Sequence, residues 1–422
     1  MKIENTIREL SDRIVTAQAP IRILDAIKWG DDVREEFFKH RCQRLPVLET
    51  SYYEKNALPF NVEDKLDEFS LIINDAKNQL GETTQITRLI VRRCEDYCKA
   101  IEMLRARGTK NFLKFSRELY GAPEDAFYPG GPRLSELSGL LGNVLESLTE
   151  QLCNQMDEKR YTAEQALELL QARLSSYFTE HKQAMVVVSD NIVADAAAGA
   201  DVIKLNQNVL FSERDIRYLE VHEGWVHVGT TLNGMAQPYC TFLGKGSPGS
   251  TVTQEGLAVL TEILTFSSSP ARLQRITNRV KALELASDGA DFMEIFRFFK
   301  GKGYDDNDAY NYSVRVFRGS LPSGIGPFTK DLSYARGFVL LYNYIRLAVR
   351  ENVIRRVPLF FVGKTLVDEM HILNDVYEQG YLMRPKYLPQ QFKDLAALSS
   401  WMSLSLYLNK FDLDAVAKHY EL

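Results

Sequence analysis

The run His222-Glu223-Gly224-Trp225-Val226-His227 sets two imidazoles five positions apart with a carboxylate beside the first, and Glu255 follows 28 residues after the second histidine. Two neutral imidazoles and one carboxylate can hold a divalent ion, zinc first among them, while leaving one coordination position for water. Glu223 is of the right type to take a proton from that water as it attacks a carbonyl, and then to pass it to the leaving amine. His222, His227 and Glu255 are therefore the expected Zn2+ ligands and Glu223 the expected catalytic base of a metallopeptidase. A second class stays open, in which the metal only ties helices together in a regulatory or scaffold protein without hydrolytic activity. A structural zinc wants four protein ligands, however, and this sequence offers three plus a glutamate placed for chemistry. Hydrolysis of a non-peptide amide or ester is a third reading, since the same activated water attacks either carbonyl.

The spacing makes a structural demand. On a regular α-helix, residues five apart point about 140° away from each other, too far to share an ion. A wide π-type turn with an i to i+5 hydrogen bond realigns them, so the sequence predicts a π-bulged helix across 222–227. Gly224 and Gly229 supply backbone freedom there. Thr251 and Gln254 read as a capping box opening a helix through Leu257, Leu260 and Leu264, which puts Glu255 in its first turn.

The elements around this centre read as mainly α (α+β). Residues 1–125 form an N-terminal helical region, with apolar positions three and four apart, as in Leu66, Phe69, Ile72 and Ile73. Gly121 to Pro132 carries three prolines and three glycines and marks a boundary, so 126–422 is the expected catalytic domain. Leu134, Leu137, Leu141, Val144, Leu148 and Leu152 define an apolar helical stripe, and Thr162 with Gln165 caps the next helix. Met185–Ser189 and Val202–Asn206 suit strands of a small sheet, whose edge could receive an extended substrate. Ser212 is a candidate cap of the helix leading into the histidines.

Composition excludes several classes. With 51 basic and 56 acidic side chains among 422 residues, the net charge of -5 gives no general footprint for nucleic acid or an anionic membrane. No signal sequence or membrane-length apolar run is present, so a cytoplasmic protein is expected. Five cysteines, at 42, 94, 98, 153 and 240, are not a disulfide framework. Cys94 and Cys98 read as small buried residues of a helix. Gly244-Lys-Gly-Ser-Pro-Gly249 lacks the spacing of a phosphate loop and reads as a rim between the metal helices. Asp305-Asp-Asn-Asp308 lacks the glycine and distant glutamate of an EF-hand and reads as a helix cap.

Taken together, His222-Glu-Gly-Trp-Val-His227, Asn233-Gly234 and Thr253-Gln-Glu-Gly-Leu-Ala258 resemble the signature of the QEGLA-motif family, whose bacterial members are labelled flavohemoglobin expression-modulating QEGLA motif proteins. Ser116-Arg-Glu-Leu-Tyr-Gly121, Arg315-Val-Phe-Arg-Gly319 and Phe328-Thr-Lys-Asp331 extend the resemblance over most of the chain. The animal relatives are the microtubule-associated tyrosine carboxypeptidases, which remove a C-terminal tyrosine from α-tubulin with zinc held by an HExxxH motif and a downstream glutamate. The resemblance implies a zincin-like metallopeptidase core, the same ligand roles for His222, His227 and Glu255, and catalysis by Glu223. It also implies a peptide or protein C-terminal tail as substrate. Such an enzyme must recognise a free carboxylate, for which Arg315, Arg318 and Lys330 are candidates, arginine offering a bidentate fork. Tyr334 could donate a hydrogen bond to the developing oxyanion. Substrate identity and oligomeric state are not legible here.

Overall fold

A computed structural model describes residues 2–420 apart from 153–157, 180–183, 191, 193, 194 and 200. The first 120 residues are helical: α1 (Lys2–Ala17), α2 (Ile23–Ile27), α3 (Asp31–Lys39), α4 (Thr50–Lys55), α5 (Val62–Leu80), α6 (Gln85–Arg105) and α7 (Lys110–Tyr120). Their starts are written in side chains. Asn61 accepts hydrogen bonds from the Glu63 and Asp64 amides, and Thr84 accepts one from Thr87. Gly121, at φ +89°, ends α7, and the connection to α8 (Leu134–Leu152) covers the expected break.

The stripe expected on α8 points largely outward. Leu134 is buried, whereas Leu141, Val144, Leu148 and Leu152 are exposed, because α8 leans on the body through Leu134, Ser138 and Leu145. That line of residues lies on a neighbouring face. Thr162 and Gln165 form the expected capping box of α9 (Ala163–Tyr177).

β1 (Met185–Ser189), β2 (Ala196–Ala198) and β3 (Val202–Asn206) make a mixed sheet in the order β1-β3-β2. β1 runs parallel to β3, with Met185 opposite Val202, and β2 runs antiparallel, with Ala196 opposite Leu205. Val186, Ile203 and Leu205 turn inward and pack with Leu170 and Leu174 of α9 and with Leu219 and Val228, so the sheet braces the histidine segment.

A Ser212/Asp215 capping box opens α10 (Glu213–Leu219), which runs directly into a π-helix at Glu220–Val228 and then α11 (Gly229–Met235). Then come α12 (Ser250–Leu264), α13 (Pro270–Ser287), α14 (Phe292–Gly301), α15 (Asp306–Phe317), α16 (Ser333–Arg350), α17 (Met370–Glu378), α18 (Gln390–Lys393), α19 (Leu395–Leu408) and α20 (Leu413–Tyr420). Asp305 caps α15 by accepting from the Asp308 amide.

The largest apolar cluster joins Leu10, Leu89 and Phe112 from the first 120 residues to Leu257, Phe328 and Leu341, so one core runs beneath both sides of the Gly121–Pro132 connection. Cys94 is fully buried in it, and Cys42, Cys94, Cys98 and Cys240 are free thiols, while Cys153 lies outside the described residues. Among the described residues no helix is long and apolar enough to cross a membrane.

Candidate functional site

The π-helix does what the five-residue spacing demands. Its wide turn closes with the Gly229 amide bonded to the Gly224 carbonyl, an i to i+5 bond, and brings the Nε2 atoms of His222 and His227 to 3.2 Å. Space is tight at Gly224: a Cβ there would lie 2.4 Å from Cδ2 of Leu174, so a larger residue must displace the end of that side chain where α9 presses against the turn.

Glu255 completes a triangle. Its Oε2 lies 3.4 Å from His222 Nε2 and 3.6 Å from His227 Nε2, and it accepts no well-formed hydrogen bond from the described residues. Ligand bonds of roughly 2.0–2.2 Å at tetrahedral angles put zinc ligand atoms about 3.3–3.5 Å apart, so three side chains from two helices present the edge lengths such an ion needs. Glu223 stands just outside, with Oε1 3.9 Å from His222 Nε2. It still falls within the group formed with His222 and His227, whose ligand atoms lie within 4.8 Å of one another.

α12 begins two residues earlier than the sequence suggests and has a different cap. Gly249 is its N-cap, and neither Thr251 nor Gln254 forms a capping box, which places Glu255 in the second turn. Gln254, read as half of that cap, and its neighbour Thr253 serve tertiary bonds instead. The Val367 amide donates to Thr253 Oγ1, while Gln254 Oε1 accepts from Thr230 Oγ1 at 2.8 Å and from Lys364 Nζ at 2.9 Å.

Three residues unremarked in the sequence complete the surroundings. Glu262, fully buried, lies with Oε1 2.7 Å from His222 Nδ1 and is held in turn by Arg272 and Ser268. The spacing of seven from Glu255, two turns along one helix face, was the available signal. Lys364 donates to the His227 carbonyl at 2.8 Å and to Thr230, reaching across 137 positions of sequence that no local pattern spans. Asp331 is the third.

These contacts fix the charges. Burial works to raise the Glu255 carboxyl, but the two imidazoles close beside it and the charge of Lys330 hold it well below the usual carboxylate range. Burial works to lower His222, and its contacts with Glu255 and Glu262 outweigh this and raise it to about 9. For Lys364 burial wins, pushing its ammonium down to about 7 against the pull of Glu255 and Glu223.

The residues expected to meet substrate divide in two. Arg315 is occupied: its Nε and Nη2 grip Asp331 at 2.7 and 2.8 Å, filling the bidentate fork, and its expected part as a carboxylate clamp gives way to holding the site's floor. Arg279 Nε also approaches Asp331, at 3.8 Å. Arg318 is different. Among the described residues no carboxylate pairs with it, its Nε has no hydrogen-bond partner, and burial together with Arg315 pushes it down to about 10. Lys330 Nζ lies 3.9 Å from Glu255 Oε1. The Tyr334 ring stacks 6.5 Å from that of His222 beneath the guanidinium of Arg279, with its hydroxyl raised to about 12, chiefly by burial.

A cleft of about 420 Å³ opens on the Glu255 side of the triangle. Lys330, Lys364 and Thr251 line it together with Tyr97, Tyr120 and Arg22, so the N-terminal helices supply about half of the lining of a cleft that the sequence assigned to the later residues. The rim at Gly246–Pro248 is anchored: Tyr97 donates to the Gly246 carbonyl and Ser247 to Asp96.

The model of the microtubule-associated tyrosine carboxypeptidase family matches residues 35–410. No curated protein matches the sequence. A solved structure of a lipoprotein from Colwellia psychrerythraea aligns with 85% of this chain and 72% of its own at 14% identity and a TM-score of 0.40.

Proposed function

The chain belongs to the microtubule-associated tyrosine carboxypeptidase family, and from that premise and the site geometry we propose that it is a zinc-dependent carboxypeptidase cutting a C-terminal peptide bond. One observation carries the metal part of this reading. The Nε2 atoms of His222 and His227 and Oε2 of Glu255 stand 3.2, 3.4 and 3.6 Å apart, with Glu223 Oε1 set back at 3.9 Å from His222 Nε2. Three close ligands with a carboxylate beside them match a catalytic rather than a structural donor set. A histidine-bearing helix braced by a small sheet also supports a zincin-like core.

His222, His227 and Glu255 would hold the ion, which when bound supplies Lewis acidity to polarise a carbonyl and acidify water. Glu223, beside the triangle but outside it, accepts the proton from the attacking water and returns it to the departing amine. Arg318 and Lys330 hold the free carboxylate of the substrate, because both are cations in a sheltered setting and no carboxylate among the described residues pairs with Arg318. Tyr334 donates to the oxygen on which charge develops. Residue preference is set by the cleft walls, including Tyr97, Tyr120 and Arg22.

The test combines metal analysis of purified protein with cleavage of a peptide library in free-acid and C-terminal amide forms. One zinc per chain and selective cleavage of free acids is the expected outcome, with His227→Ala losing both. Undiminished cleavage by protein stripped of metal would overturn the reading.

A further inference from the structure

We infer that Glu262 is a positioning residue for the metal centre, fixing the tautomer and orientation of His222. This rests on the metal site proposed above. Glu262 touches no expected substrate position and acts through the imidazole.

The imidazole of His222 is held between two carboxylates of a single helix. On one side Glu255 Oε2 faces Nε2 at 3.4 Å, and on the other Glu262 Oε1 meets Nδ1 at 2.7 Å. Seven residues of α-helix advance about 10.5 Å and return almost to the same face, so α12 carries both groups toward one ring. A buried carboxylate accepts, so Nδ1 must carry the proton and donate it. Nε2, which faces His227 Nε2 and Glu255, is then the nitrogen whose lone pair a cation would take in place of a proton.

The surroundings favour this over a simple Glu262–Arg272 ion pair. Arg272 reaches Glu262 at 3.3 and 3.4 Å, longer than the ~2.7–2.9 Å of a strong charge-assisted bond, whereas the contact to His222 falls within that range. The guanidinium spreads instead over the rings of Tyr218, at 4.6 Å, and Tyr334, at 5.8 Å. Ser268 Oγ donates to Oε2, so both oxygens of Glu262 are satisfied. Arg272 keeps the carboxylate charged and Ser268 keeps it aimed, leaving its shortest bond for the imidazole.

The experiment compares wild type with Glu262→Ala and Glu262→Gln in three measurements: zinc affinity against a chromophoric chelator, the visible absorption spectrum of the Co2+-loaded protein, and the unfolding midpoint of the metal-free protein. Glu262→Ala should weaken zinc binding about 10- to 100-fold. Glu262→Gln, which can keep the hydrogen bond but loses the charge, should weaken it less and shift the Co2+ bands while the metal-free midpoint stays near wild type. Wild-type affinity and unchanged bands in Glu262→Gln would overturn the inference, even if Glu262→Ala fails to fold. A wild-type protein that binds neither ion would instead sink the metal reading itself, and this inference with it.

Discussion

Gly256 and Gly337 meet backbone to backbone where α12 crosses α16: a Cβ on Gly256 would lie 2.1 Å from the Gly337 carbonyl carbon, and one on Gly337 would lie 1.9 Å from the Val252 carbonyl oxygen. Both obstacles are main chain and cannot swing aside. The close crossing brings Glu255, the neighbour of Gly256, up to Lys330, just ahead of α16, and Tyr334 in its first turn. Gly337→Ala should therefore cost about 3 kcal/mol or more and weaken metal binding together with stability, as read by denaturant unfolding and zinc titration. Wild-type affinity in a folded Gly337→Ala protein would show that the crossing does not set the site.

Glu223→Gln should retain zinc and fold while turnover falls by about 10²- to 10⁴-fold, since the side chain borders the ligand triangle without closing it. Metal analysis and peptide cleavage on the same preparation separate the two effects. Turnover at the wild-type rate would remove Glu223 from the mechanism.

Arg318→Ala and Lys330→Ala should lower kcat/KM for free-acid peptides about 10-fold or more, with little change for the corresponding amides, because the lost partner is a charged carboxylate. Arg315→Ala should damage both substrates alike. It strips Asp331 of its bidentate partner and leaves a buried charge, a change worth about 3–5 kcal/mol of stability. Equal responses to Arg318→Ala on acid and amide would assign that residue to structure as well.

Acid should find the Asp331 cluster early. Burial works to raise this carboxyl, yet Arg315, Arg279 and Arg318 outweigh it and hold it far below the usual range. With the folded value below an unfolded value of about 3.9, the stabilisation is complete well above that pH and is lost as pH falls through about 4 toward the folded value. Urea unfolding between pH 6 and pH 3 should show this decline in wild type and a flatter profile in Asp331→Asn, which starts lower. Parallel profiles would exclude Asp331 as the titrating group.

Much of the site was legible because the information is local. Two histidines and a glutamate within one turn are the residue types that a metal site uses, and five-residue spacing predicts the π turn that the chain adopts, since helical periodicity alone sets where side chains point. Caps at Thr162, Ser212 and Asp305 were readable for the same reason: a side chain bonds an amide three positions on. Thr251 and Gln254 have the same pattern, but Gln254 is engaged by Lys364 and Thr230, and a long-range partner of greater strength displaced the local one.

What the sequence determined by itself is the pair of histidines with Glu255 that the fold brings together, the mainly helical architecture with its small sheet, and the family. Only the tertiary structure decided that Arg315 spends its fork on Asp331 while Arg318 pairs with no carboxylate among the described residues, that Glu262 stands behind His222, and that α2 and its neighbours wall the cleft. The reason is distance along the chain. Periodicity and capping act over a few residues, whereas charge pairing in a buried site depends on which segments the core brings together, and no spacing rule carries that across 40 to 137 positions.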